Sequence, residues 1–154
     1  MDQSTAKKLI EETKYLDNQI LVYREDSKTI YGKIIWKGYT AAFKDEEGND
    51  GTVRVRIKDL HSSKEFSESL SKIAHLFPKE FILNREHSKM EILNVLQNNK
   101  EVKAKTLNWI KDSVTLPAEQ PEEVESLLTE LWLESKVTKA RFKANDDVTY
   151  SPRG

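Results

Sequence analysis

The spacing of apolar positions switches several times between a helical and a strand period along this chain. From Ser4 to about Asp17, Ala6, Leu9, Ile10, Thr13 and Leu16 recur at intervals of three and four, which predicts one short amphipathic helix. Shorter apolar and aromatic runs follow at Ile20 to Arg24, Ile30 to Lys37, Tyr39 to Lys44 and Thr52 to Lys58. Turn-like residues separate them: Glu25 to Lys28, Gly38, and the acidic segment Asp45 to Gly51, whose Asp, Asn and Gly tolerate hairpin geometry. In the last run Val53, Val55 and Ile57 alternate cleanly with polar residues, so four strands are expected behind the first helix. Ser62 followed by Glu65 reads as a capping box, and Phe66, Leu70, Ile73 and Phe77 then mark one face of a helix that Pro78 stops.

The second half opens on another capping box, Ser88 with Glu91, before a helix carrying Ile92, Leu93, Val95 and Leu96 that ends at Asn98-Asn99. A second helix is predicted from about Thr106 to Val114, with Leu107, Ile110 and Val114 as its apolar side. Pro121 suits the first turn of a third helix, where its missing N–H costs nothing, and Glu122 and Glu123 sit at the positive end of the dipole. Val124, Leu127, Leu128 and Leu131 form the stripe this helix buries. After Lys136 the period becomes two, from Val137 to Lys143 and again from Val148 to Tyr150 across Asn145-Asp146-Asp147, which reads as a closing hairpin. The segment Lys79 to His87 carries the expected boundary, giving domains 1–84 and 85–154.

The order of elements over about Ala6 to Leu60 resembles the SH3-like and Sm-like small barrels, without a fifth strand after Lys58 and without an Sm-type RNA-binding signature. Three helices and a two-stranded wing over about Ser88 to Pro152, above all in LLTELWLESKVTKARFKANDDVTYSP, resemble the winged-helix superfamily. Together the resemblances imply an α+β protein: a small SH3-like β-barrel with flanking helices, followed by a winged-helix domain. The second scaffold often binds DNA and also serves as a protein-interaction module, so the fold alone does not choose.

Charge narrows the choice. With 25 Lys plus Arg against 26 Asp plus Glu, the formal charge of -1 excludes a protein that coats nucleic acid indiscriminately, and any basic site must be local. The third helix is unsuited to groove reading. The segment from Glu119 to Glu134 that holds it contains Glu119, Glu122, Glu123, Glu125, Glu130 and Glu134 with no Lys or Arg, and a phosphate backbone would repel them. The ordinary explanation is a solvated face; the functional one is a docking surface for a basic protein partner at Glu122, Glu123 and Glu125, with Leu133 or Trp132 as apolar anchor. The cations lie on strands. If Ala140 and Phe142 face inward, Lys139, Arg141 and Lys143 project together from the wing, and Arg54, Arg56 and Lys58 line the outer face opposite Val53, Val55 and Ile57. Such rows commonly protect strand edges from aggregation. Their sharper reading is phosphate contact, aided by Lys33 and Lys37 and by an exposed Tyr39 or Trp36 on which a base could stack.

Cysteine is absent, which excludes thiol catalysis, thiolate metal sites and disulfides. His61, His75 and His87 lack the short spacings of metal ligands. The acidic segment from Asp45 fails as a calcium loop, because Asp50 stands where Gly is needed and Arg56 where a bidentate Glu is needed. No phosphate-binding, dinucleotide, zinc-protease or nucleophile-elbow motif occurs. The first residues carry no apolar leader core and no stretch is long enough to span a membrane, so a cytoplasmic protein without a membrane partner is expected. The sequence therefore points to a non-catalytic adaptor of a nucleic-acid-associated assembly, without cofactor or metal, for which a protein partner and nucleic acid are the candidate ligands. Two alternatives stay open: a DNA-binding regulator reading with the wing and with Lys103 and Lys105 before Trp109, and an acidic DNA mimic or unrecognised enzyme.

Overall fold

Strand pairing organises the first half of the chain and helix packing the second. The computed structural model describes residues 1–25, 27–102, 104–114, 121–141 and 148–153, the side chains of 25 and 121–123 excepted. The fold is α+β, and the chain divides into two units, Met1–Ile82 and Leu83–Gly154.

In the first unit, helix α1 (Gln3–Glu12) starts at Asp2, whose carboxylate accepts a 2.7 Å hydrogen bond from the Thr5 N–H and so satisfies one of the helix's free donors. A 3₁₀ turn at Lys14–Leu16 leads into strands β1 (Ile20–Glu25), β2 (Lys28–Lys44), β3 (Asp50–Asp59) and β4 (Glu65–Ser69). They pair antiparallel in that order as an open four-stranded sheet. Val53, Val55 and Ile57 of β3 bury against Leu16, Leu21, Leu70, Ile73 and Phe77, and Tyr23 meets Phe66 and Phe77 edge to face at 5.7 and 5.2 Å.

Two expectations are corrected in this sheet. The runs Ile30–Lys37 and Tyr39–Lys44 are parts of one strand, because Gly38 stays extended and pairs with Arg54 instead of turning the chain. The segment Glu65–Ser69 is a strand and not the first turn of a helix; α2 spans only Leu70–Leu76. Ser62 does not cap a helix: its hydroxyl donates to Asp59 Oδ2 at 2.8 Å inside the β3–β4 turn. The competing arrangement wins because it places Phe66 opposite Ile57 on the core side and completes the backbone bonding of β3. Phe66 and Leu70, four residues apart, fit a helix stripe equally well, so spacing alone could not separate the two.

Pro78 ends one helix and begins another, since α3 runs without a break over Lys79–Asn98 and contains the division between the units. Ser88 and Glu91 therefore lie in a helix interior and form no capping box, a further correction. In the second unit α4 (Leu107–Ser113) is capped by Thr106, which accepts from the Trp109 N–H at 3.2 Å, and α5 spans Pro121–Leu133. Strands β5 (Val137–Arg141) and β6 (Val148–Pro152) pair antiparallel. Ile92, Leu96, Ile110, Val124, Leu127, Leu128, Leu131, Val137 and Tyr150 form the core.

Candidate functional site

Strict alternation in β3 fixes a basic row. Because Val53, Val55 and Ile57 are fully buried, Arg54, Arg56 and Lys58 must point to the opposite side of the sheet. Pairing extends the row sideways: Lys33 of β2 stands opposite Lys58, Trp36 opposite Arg56, and Gly38 opposite Arg54. On the other flank Glu65, Ser67 and Ser69 of β4 stand opposite Lys58, Arg56 and Arg54. Glu65 reaches Arg56 at 3.7 Å, an exposed pair that contributes little in water. Glu68 lies opposite Val55 and pairs with Lys72 at 3.0 Å. Burial opposes its ionisation, but the Ser69 N–H, Lys72 and the nearby Arg54 hold its carboxyl below the ordinary value.

Arg54 is held in place. Its guanidinium lies 4.4 Å from the Phe43 ring centroid, and Nη2 donates to the Ser67 hydroxyl at 3.0 Å. A cation stacked on an aromatic face and tied at one corner has given up side-chain freedom before any ligand arrives. Neither Phe43 nor Ser67 could be assigned to the site from sequence, because each comes from a different strand and no local spacing links them.

Trp36 joins this face through an irregularity. Strict alternation would put it beside Ile34, on the core side, but β2 carries one extra residue, Ile35, between the Ile34–Ile57 and Trp36–Arg56 pairs. The bulge turns Trp36 outward, where it is 53% exposed. Its six-membered ring lies against Gly38: a Cβ built there would stand 2.6 Å from Trp36 Cζ2 and 2.8 Å from Cη2. The strand provides a glycine floor for the indole. Tyr39, the other proposed stacking residue, pairs with Val53 and donates its hydroxyl to the Met1 carbonyl at 2.8 Å. Lys37 falls opposite Val55 and is ion-paired with Asp17 at 2.7 Å, so of the two expected helpers only Lys33 joins the row.

The β5–β6 pair is arranged differently from the expectation. Ala140 is exposed, and Val137, buried in the core, sets the parity of β5, which brings Lys139 and Arg141 to the same side as Val137. Lys139 Nζ sits 4.2 Å from the Trp132 ring centroid and 6.0 Å from that of Tyr150. Burial pushes its ammonium below the ordinary lysine value despite the Glu125 carboxylate. Arg141 is exposed at the end of β5, and Lys143 lies outside the described residues.

The acidic helix is also less acidic on its surface than its sequence. Glu130 is buried and ion-paired with Arg85, and Glu134 pairs with Lys89 at 2.7 Å, both cations coming from α3. Their signal was present: Arg85 and Lys89 continue the Ile92–Leu96 stripe at intervals of four and three, so they face the core side of α3. Glu125 is exposed and Leu133 half-buried, next to an exposed Trp132. Glu122 and Glu123 belong to the first turns of α5, with side chains outside the described residues, as is Glu119.

Among the described residues no helix is long and apolar enough to cross a membrane. No protein-family model matches the chain, and no curated protein or solved structure matches it either.

Proposed function

We propose that this chain is a non-catalytic adaptor of a nucleic-acid-associated assembly. In this reading the first unit is a small SH3-like barrel whose outer sheet face meets phosphates, and the second is a winged helix whose α5 meets a protein partner through Glu122, Glu123, Glu125 and Leu133. The observation that carries it is the row Arg54, Arg56 and Lys58, extended by Lys33 and opposed on that face by the exposed carboxylate of Glu65. In a chain of formal charge -1, cations gathered on one side of a sheet are the local basic site that phosphate contact requires. The three helices and antiparallel strand pair of the second unit support the winged-helix part.

A regulator reading DNA with the wing has less support. Lys139 is engaged with Trp132 and Tyr150, and Lys105, offered before Trp109, is only 5% exposed.

Fluorescence anisotropy with labelled single-stranded and duplex DNA and RNA, titrated at several salt concentrations, tests the proposal. The logarithm of the binding constant should fall linearly with the logarithm of the salt concentration, and Arg56→Glu with Lys58→Glu should abolish binding. Absence of binding even at low salt would overturn the phosphate contact.

A further inference from the structure

We infer that the nucleic acid taken by the first unit is single-stranded, one base stacking on the indole of Trp36 while the phosphates beside it lie against Arg56 and Arg54. The inference rests on the phosphate reading above and adds the state of the strand.

Three features of the face lead to it. A tryptophan that is 53% exposed on a sheet leaves apolar ring surface in water, and a base is a flat apolar partner that would cover it. The ring is backed by the strand at Gly38, where a side chain of any size would displace it, so the indole is supported from below. The cations then stand where the backbone of a stacked nucleotide would run. Arg56 is directly across from Trp36 and Arg54 directly across from Gly38, with successive outward residues of β3 about 7 Å apart. That spacing suits consecutive phosphates of an extended strand. Arg54 is already immobilised over Phe43 and by Ser67, which lowers the entropy lost on binding.

A duplex would use only half of this surface. Its bases are stacked on one another inside the helix, so it offers the cations phosphates and offers Trp36 nothing. An acidic peptide would satisfy the cations equally but has no flat ring at each residue to meet the indole.

The test compares two probes on the full chain: a fluorescein-labelled oligo-deoxythymidine of about twelve nucleotides and a hairpin duplex of the same charge. The single strand should bind more tightly. Trp36→Ala should weaken its binding roughly 5- to 100-fold, the range for losing one base–aromatic stack, while the salt slope stays the same because no cation is removed. Trp36→Phe should lose less. Gly38→Ala should weaken binding in the same sense although it removes neither charge nor aromatic ring, and it remains informative if Trp36→Ala does not fold. Duplex binding as tight as single-strand binding, indifference to both Trp36→Phe and Gly38→Ala, or equal competition by polyglutamate would overturn the inference and leave the phosphate reading standing. Failure of both probes to bind at low salt would overturn both.

Discussion

Arg85 of α3 and Glu130 of α5 are ion-paired inside the second unit, where Glu130 is 1% exposed and Lys89, one turn further along α3, is 2% exposed. Lys89 in turn meets Glu86 at 2.8 Å, Glu134 at 2.7 Å and Glu130 at 3.8 Å. Burial works against its charge, but the three carboxylates hold its ammonium above the ordinary lysine value. Removing one member leaves the others charged in a dry place. Glu130→Gln should therefore cost about 3–5 kcal/mol of stability, whereas Glu125→Gln on the exposed side of the same helix should stay within about 0.5 kcal/mol. Urea unfolding of the two variants checks this.

The β3–β4 turn is organised by a carboxylate. Asp59 accepts from the His61 N–H at 3.0 Å and from the Ser62 hydroxyl at 2.8 Å. Burial opposes its ionisation, yet these bonds outweigh it and hold the carboxyl below the ordinary 3.8. For a carboxyl depressed on folding, the stabilisation is complete above the unfolded value and is lost as pH falls through the folded one. The stability difference between the parent chain and Asp59→Asn should therefore be constant above about pH 5 and shrink as pH drops below 3.8. A gap that widened on acidification would contradict this account.

At the start of β3 a glycine is required twice over. Gly51 has φ of +95°, and the Tyr39 hydroxyl occupies the place where its Cβ would stand. Gly51→Ala should destabilise by about 1–3 kcal/mol. Gly48 shares the positive φ, at +84°, but has open space around it, so Gly48→Ala should cost less. Thermal melts of both variants, with Tyr39→Phe added to Gly51→Ala to recover part of the loss, separate backbone strain from overlap.

Lys139 offers a chemical readout of its surroundings. Because partial burial of its ammonium favours the neutral amine, Lys139 should be acetylated by limiting acetic anhydride faster than Lys8. Peptide mass spectrometry after brief labelling gives both values.

What the sequence disclosed followed the strength of its periodicities. Helix α5 and strand β3 were legible because each repeats one period over two or more turns or pairs, and the basic row came with β3 because Val53, Val55 and Ile57 leave Arg54, Arg56 and Lys58 no other side. β4 was not legible: five residues with one aromatic cannot declare a period, and its pairing with β3 is a long-range contact. Parity misled in β5, where Val137 and not Ala140 faces the core, and a helix read alone could not show that Glu130 and Glu134 find their cations on α3. The place of Trp36 depended on a bulge, which alternation by its nature cannot announce.

That bulge also says where this strand can change its length. Ile35 is the surplus residue between two intact pairs, Ile34 with Ile57 and Trp36 with Arg56. Deleting Ile35 would leave a regular ladder in which Ile34 still faces the core and Trp36 still faces out. Deletion of Lys37 instead would bring Gly38 to the opposite side from Trp36 and take the floor from under the indole. Loss of a single codon is thus tolerated at Ile35 and disruptive two positions later, so relatives of this chain that differ in length between Ile34 and Gly38 are expected to differ at Ile35.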